Sequence, residues 1–217
     1  MQRPFSTAPY LVQLAAWPVA GRHILAHHDD DAIVVYQAYR PAIADHAVRH
    51  QRFGGEFSLS RMSWIKPNFL WMMHRSGWAT KEGQERVLAV RISRAGFDAI
   101  LARAVHSSYV PEVYGDRAAW HAAVAGSDVR LQWDPDHDPS GQRQERRAIQ
   151  LGLTGQSLRQ YVQEWCLAID DVTDFVAAQR VYRSDSAALV TPLESVVRVR
   201  DEAVAARLGA AADRAGA

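Results

Sequence analysis

The sequence predicts an α+β fold, a single compact domain in which a mixed or antiparallel sheet is flanked by helices. Three observations carry that expectation. The chain has 217 residues, long for one domain and short for two. Apolar residues make up 48% and charged residues 23%, the balance of a chain with a packed core rather than a disordered one. Candidate strands and helices interleave, yet no Gly-x-Gly-x-x-Gly turn and no Walker loop appears, which disfavours a dinucleotide-binding doubly wound sheet. The domain is expected over residues 1–208, with the Ala/Gly/Arg-rich residues 209–217 as a disordered tail.

The elements follow in order. Residues 1–20 are mixed and read as a strand or an arm. Ala32 to Tyr39 is β-branched and aromatic, a buried strand. Pro41 opens a helix over Ala42 to His50, which Phe53-Gly-Gly breaks. Arg61 to Ile65 reads as a strand, and Pro67 leads into a helix from Asn68 to Gly77. Arg86 to Ile92 alternates as a strand does, and Arg94 to Val105 is helical. Val129 to Trp133 is a strand, Asp134 to Gly141 a loop, and Arg147 to Leu153 a further strand. Ser157 to Gln179 carries apolar residues at helical spacing, one or two helices, and Asp201 to Leu208 is the last helix.

Net charge is +1, so no global field marks a nucleic-acid or membrane partner. The kind of positive charge is unusual. Of 25 lysines and arginines, only Lys66 and Lys81 are lysines. Arginine is the better residue for bidentate contact with phosphates and carboxylates, so a local anion site stays open. Cys166 is the one cysteine, expected as an inert thiol on an amphipathic helix from Tyr161 to Ile169. No signal peptide and no run of about 20 apolar residues is read, so no membrane partner is expected and the cytoplasm is the default location.

Polar chemistry concentrates between Arg61 and Trp78. Arg61, Lys66 and Arg75 are interleaved with Trp64, Trp71 and Trp78. Lys66 precedes a helix start, where free N–H groups favour an anion. Aromatic rings and cations together suit a nucleotide, the rings for the base and the cations for the phosphates. The same residues also fit a solvated basic face beside core aromatics. Gln37 interrupts an apolar strand, and an unpaired amide there costs roughly 1–3 kcal/mol. Either it pairs with nearby groups or it faces a cavity. Tyr36 and Tyr39 flank it on opposite faces. Asp134, Asp136, Asp138 and Glu145 fall at positions 1, 3, 5 and 12 of a calcium loop, but Pro139 stands where the sharp turn needs glycine. His46 and His50 have metal spacing on a helix without an accompanying Glu motif, and read as an exposed face.

Several stretches resemble a known family. Gly21-Arg-His-Ile-Leu-Ala, Val35-Tyr-Gln-Ala-Tyr-Arg-Pro, Arg61-Met-Ser-Trp-Ile-Lys-Pro-Asn-Phe-Leu-Trp-Met-Met, Arg75-Ser-Gly-Trp and Arg147-Ala-Ile-Gln-Leu-Gly-Leu resemble the bacterial and fungal family called domain of unknown function 4291, from about Trp17 to Leu208. That resemblance implies one domain and no activity. The order of elements is also similar, more weakly, to the ADP-ribosyltransferase layout. The similarity implies NAD as cofactor and transfer to a nucleic acid or a nucleotide. It puts Arg61, Glu145 and Gln37 in catalytic positions. Tyr36, Tyr39, Ser63, Trp64, Lys66, Arg75, Arg147 and Gln150 would hold the cofactor, and Trp71, Trp133 and His137 the substrate. Two alternatives remain open at this level: a non-catalytic module for RNA or single-stranded DNA, and a nuclease in which Asp134, Asp136, His137 and Glu145 hold a divalent metal.

Overall fold

The structure is a computed structural model and describes residues 5–211. The chain opens with β1 (Thr7–Pro9), α1 (Tyr10–Ala16), β2 (Gly21–Arg22), β3 (Leu25–Ala26), β4 (Ala32–Tyr39) and α2 (Pro41–His50). It continues through β5 (Ser63–Ile65), α3 (Phe69–Ser76), β6 (Arg86–Ser93), α4 (Arg94–Arg103) and β7 (Ala104–His106). Next come α5 (Pro111–Tyr114), α6 (Arg117–Ala125), β8 (Val129–His137), β9 (Arg143–Leu153) and α7 (Gly155–Gln160). A π-helical turn (Tyr161–Trp165), β10 (Cys166–Asp171), α8 (Thr173–Arg180), β11 (Val190–Pro192), β12 (Ser195–Val196) and α9 (Glu202–Leu208) complete it. The result is a single α+β domain.

Two sheets dominate. One is antiparallel, in the order β10-β6-β4. The other runs β2-β9-β8-β7 with β5 added on β9, and is mixed because β2 and β7 pair in parallel. β4 is buried on both faces, which explains its nearly continuous apolar sequence. Ile33 and Val35 face a core that includes Ile92, Phe97, Leu131, Leu151 and Tyr161. Val34 and Tyr36 face a second core with Phe5, Phe69, Met73 and Trp78.

Helix ends are fixed by side chains in familiar roles. Ser93 accepts from Gly96 N–H, Asp116 from Ala119 N–H and Asp201 from Val204 N–H, each satisfying a backbone donor with no partner inside its helix. Gly77 ends α3 in the left-handed region, at φ 59°.

The structure departs from the sequence expectations in four places. Residues 104–106 leave the helix expected to reach Val105 and form β7, because pairing with β8 outweighs local propensity. The loop expected over Asp134 to Gly141 is shorter, since β8 runs on to His137 and β9 begins at Arg143. The helical reading of Ser157 to Gln179 fails in its middle, where Cys166–Asp171 pairs with β6. Cys166 is therefore a half-buried strand residue, and burial raises its thiol pKa to about 11. Gly96 in α4 permits the preceding π-helical turn, since a Cβ there would lie 2.4 Å from Trp165 Cγ. Finally, Gly209 is the cap of α9, and Ala211 N–H donates to Arg22 O at 2.8 Å, so the expected tail is tied down through Ala211. Its remainder, 212–217, lies outside the described residues, as do residues 1–4 of the expected N-terminal arm.

Beside the second core lies a buried ion pair. Arg146 Nη2 and Nε sit 2.6 and 2.8 Å from Asp136 Oδ2, with both side chains nearly inaccessible. Arg146 Nη1 donates to Pro18 O, and the guanidinium packs over the Trp17 ring. Removing one member strands the other charge. Asp136→Ala is expected to lower unfolding free energy by about 3–5 kcal/mol in urea titration. Glu56→Ala, at the exposed Arg40–Glu56 pair, is expected to cost less than about 1 kcal/mol. Equal effects would contradict this account of the pair.

Candidate functional site

The two sheets meet at one backbone bridge. Tyr36 N–H donates to Lys66 O at 2.7 Å, and Lys66 N–H donates to Tyr36 O at 3.2 Å. Beside this bridge lies a cleft of about 510 Å³. β4 contributes Gln37 and Tyr39, and the segment entering β5 contributes Arg61, Ser63 and Trp64. Lys66, Met72 and Arg75 come from the next turn and α3, and Gln132 and Gln150 come from β8 and β9.

Gln37 does both things the sequence left open. It lines the cleft and is fully engaged. Its Nε2 donates to Tyr39 Oη at 2.7 Å, to Ser63 Oγ at 2.8 Å and, more weakly, to Trp64 O at 3.3 Å. Its Oε1 accepts from Tyr161 Oη at 2.6 Å. Tyr161 is wholly buried in the first core, so this amide anchors the cleft wall to the hydrophobic interior. Burial also pushes the Tyr39 and Tyr161 phenols up, which keeps both as neutral hydroxyls. Across the cleft, Gln132 and Gln150 are directly paired in the β8–β9 register. Gln150 Nε2 donates to Gln132 Oε1 at 2.7 Å and to Asp134 Oδ2 at 2.6 Å. Gly152 allows Trp64 to lie across β9, because a Cβ there would sit 2.6 Å from Met62 Sδ and 3.0 Å from the Trp64 ring.

The cations are the distinctive chemistry. Arg61 and Arg75 are exposed, whereas Lys66 is 4% exposed. None of the three side chains has a hydrogen bond or ion pair among the described residues. Elsewhere buried arginine is satisfied, as at Arg146 and at Arg94, which bonds Asp98. Burial first and the charge on Arg75 second, opposed by Asp134, bring the Lys66 pKa down to about 8.

The start of α3 does not contribute as the sequence suggested. Two of its first N–H groups are already taken. Asn68 Oδ1 accepts from Trp71 N–H at 2.7 Å, and Glu194 Oε1 accepts from Phe69 N–H at 2.7 Å. Glu194 Oε2 also accepts from Asn68 Nδ2. This carboxylate is buried, which raises its pKa well above the usual range. The helix start is thus capped by an internal carboxyl group, and the cleft relies on side-chain cations.

Of the residues singled out in the sequence, Gln37, Tyr39, Arg61, Ser63, Trp64, Lys66, Arg75 and Gln150 converge on the cleft. Tyr36 does not; it points into the second core. Glu145 is exposed, five residues along β9 from Gln150 and outside the cleft. Arg147 is exposed and, three positions from Gln150, projects from the other face of the strand. Trp133 packs at the edge of the first core, and its Nε1 donates to Leu208 O. Trp71 and His137 form a separate stack with His74. The His74 and His137 rings lie 3.5 Å apart at 9°, and Trp71 lies against both. The metal set does not assemble either. Asp136 is engaged with Arg146, and no group of three His, Cys, Asp or Glu side chains suited to a metal occurs among the described residues. Met62, Met72, Gln84 and Gln132 line the cleft without having been singled out. The alternation of β8 marks Gln132 as facing away from the core that receives Leu131, a usable signal; the others gave none.

Fold and site together define an α+β protein with an unpaired cationic cleft at the seam of two sheets. The chain belongs to the family described as domain of unknown function (DUF4291), whose model matches residues 23–197 and so spans the whole cleft. No curated protein matches it. No helix among the described residues is long and apolar enough to cross a membrane.

The histidine stack yields a pH prediction. Burial, then His137 and the cations Lys81, Arg143 and Arg75, lower the His74 pKa to about 4, and burial lowers that of His137. The unfolded chain therefore binds protons first, near the ordinary value of about 6.5. The stack's contribution is present above that value and is lost as pH falls towards about 4. Relative to His74→Gln, the native protein is expected to lose melting temperature across that window in calorimetry. Parallel curves would contradict the stack's role.

Proposed function

We propose that the cleft binds a nucleotide through its phosphates. The observation that carries this reading is the set of three cations, Arg61, Lys66 and Arg75, facing one cleft without an ion-pair partner among the described residues. Unpaired cations held together repel one another, and an anion of two or more charges relieves that repulsion. Guanidinium groups offer forked donors to phosphate oxygens, and the ammonium offers a point charge. The remaining lining suits the other half of a nucleotide. Trp64 and Met62 provide a ring face and a polarisable thioether, and Gln84, Gln132 and Gln150 provide amides able to read a base or ribose edge.

NAD falls within this ligand class. Transfer of its ADP-ribosyl group would need a carboxylate at the reacting carbon, and Glu145 stands outside the cleft. Asp134 is the carboxylate in electrostatic contact with Lys66 and hydrogen bonded to Gln150. On this reading Gln37 and Ser63 are positioning residues that hold the cleft wall.

Calorimetric titration tests the proposal. ADP and NAD are expected to bind the purified chain with an affinity that falls as salt rises. Arg75→Ala is expected to weaken binding roughly 10- to 100-fold, as loss of one charge-assisted contact of about 1.5–3 kcal/mol implies. If ADP, NAD and a single-stranded oligonucleotide all fail to bind at low salt, the proposal is wrong. If only the oligonucleotide binds, the cleft serves a strand rather than a free nucleotide.

A further inference from the structure

We infer that Lys66 is a nucleophilic amine that forms an imine with the carbonyl carbon of a phosphorylated aldehyde, the open-chain form of a ribose phosphate being the class that fits the cleft. The inference rests on the phosphate-binding part of the reading above and adds a covalent role to it.

Composition makes the first argument. In a chain that otherwise uses arginine, lysine survives at only two positions. Lys81 is an exposed surface residue whose Nζ donates to Arg75 O. Lys66 is the buried one. A cation needed only for charge could be arginine here as elsewhere, but guanidinium cannot lose its proton and an amine can.

Position makes the second. The Lys66 backbone is fixed on both sides, by the paired hydrogen bonds to Tyr36 and by Pro67. Its side chain lies along the cleft wall, with no hydrogen bond or ion pair to occupy Nζ. Burial and a neighbouring cation are the two environments that release a lysine proton near neutrality. Lys66 has both. The charged and titratable groups around it are Arg61 from the β5 approach, Arg75 from α3, Asp134 from β8 and the neutral Tyr39 hydroxyl from β4. Arg61 and Arg75 would hold the phosphate while Asp134 limits the loss of positive charge.

The step balances without a further reagent. The neutral amine adds to the aldehyde carbon, forming the C–N bond, and one amine proton passes to the carbonyl oxygen to give a carbinolamine. The C–O bond then breaks, the hydroxyl leaves as water with the second amine proton, and the C=N bond forms.

The full chain can be tested with pyridoxal 5′-phosphate as the phosphorylated aldehyde, and with ribose 5-phosphate, each followed by borohydride reduction and peptide mapping. With the Lys66 pKa at about 8, roughly a hundredfold more of it is neutral at pH 8 than of an ordinary lysine. Lys66 is expected to be labelled at least tenfold faster than Lys81, and excess inorganic pyrophosphate is expected to slow it. Lys81→Arg is expected to leave that labelling intact, which keeps the test sound if Lys66→Arg folds poorly. Labelling of Lys81 as fast as Lys66, or Lys66 labelling indifferent to pyrophosphate, would overturn the inference. ADP titration of the same preparation separates the two ideas. Binding of ADP with an unreactive Lys66 overturns the imine role alone. A reactive, pyrophosphate-protected Lys66 without ADP binding supports the imine role and overturns the nucleotide reading.

Discussion

The bridge between Tyr36 and Lys66 is the constraint on which the site depends. Two backbone hydrogen bonds tie β4, the edge strand of the antiparallel sheet, to the segment leaving β5 in the other sheet. Everything polar in the cleft is placed relative to that bridge. Gln37, one residue on, turns to the opposite face from Tyr36 and meets Ser63 and the Trp64 carbonyl. Lys66 is held at the bridge itself, so its amine approaches the cleft from a backbone that cannot drift. On the cleft side Gln37, Tyr39 and Ser63 are matched to one another, and the match extends into the core through Tyr161. Networks of this kind, once fully satisfied, hold one arrangement in preference to others.

The protein treats its charges in two ways, and the contrast gives the site its meaning. Where charge is structural it is neutralised internally. Arg146 faces Asp136, and Glu194 closes the start of α3. Where charge lines the cleft it is left without a counterpart. Desolvating an unpaired ammonium is costly, and the lowered Lys66 pKa is that cost expressed as proton affinity. On the proposed reading, a fold that pairs its buried arginines and leaves Lys66 unpaired among the described residues keeps that position for an external anion or for chemistry of the free amine.

Much of this was legible in the sequence. The strand Ala32–Tyr39 and the helix starting at Pro41 follow from a β-branched run and a proline, both strictly local signals. The cleft residues from Gln37 to Arg75 stood out because amide and cationic side chains interrupt apolar surroundings. What was not legible depends on distant partners. Cys166–Asp171 carries no strand pattern strong enough to oppose the helical spacing around it, and its pairing is set by the edge of β6. The start of α3 looked like an anion site, because nothing near Asn68 reveals that Glu194, 126 residues further on, fills it. Glu145 lay in a plausible order of elements, but strand order does not fix whether a side chain reaches a given cleft.

The most direct test of the central claim uses the scarcity of lysine. With lysine nitrogens labelled, the chain gives two side-chain amine signals, which Lys81→Arg assigns. A pyrophosphate titration followed by nuclear magnetic resonance reads the cleft cation itself. The account predicts that the Lys66 signal titrates near pH 8 in the free protein, that pyrophosphate shifts it saturably, and that its pKa rises when the anion is bound. A Lys66 signal that titrates like that of an ordinary lysine and ignores pyrophosphate would contradict the account.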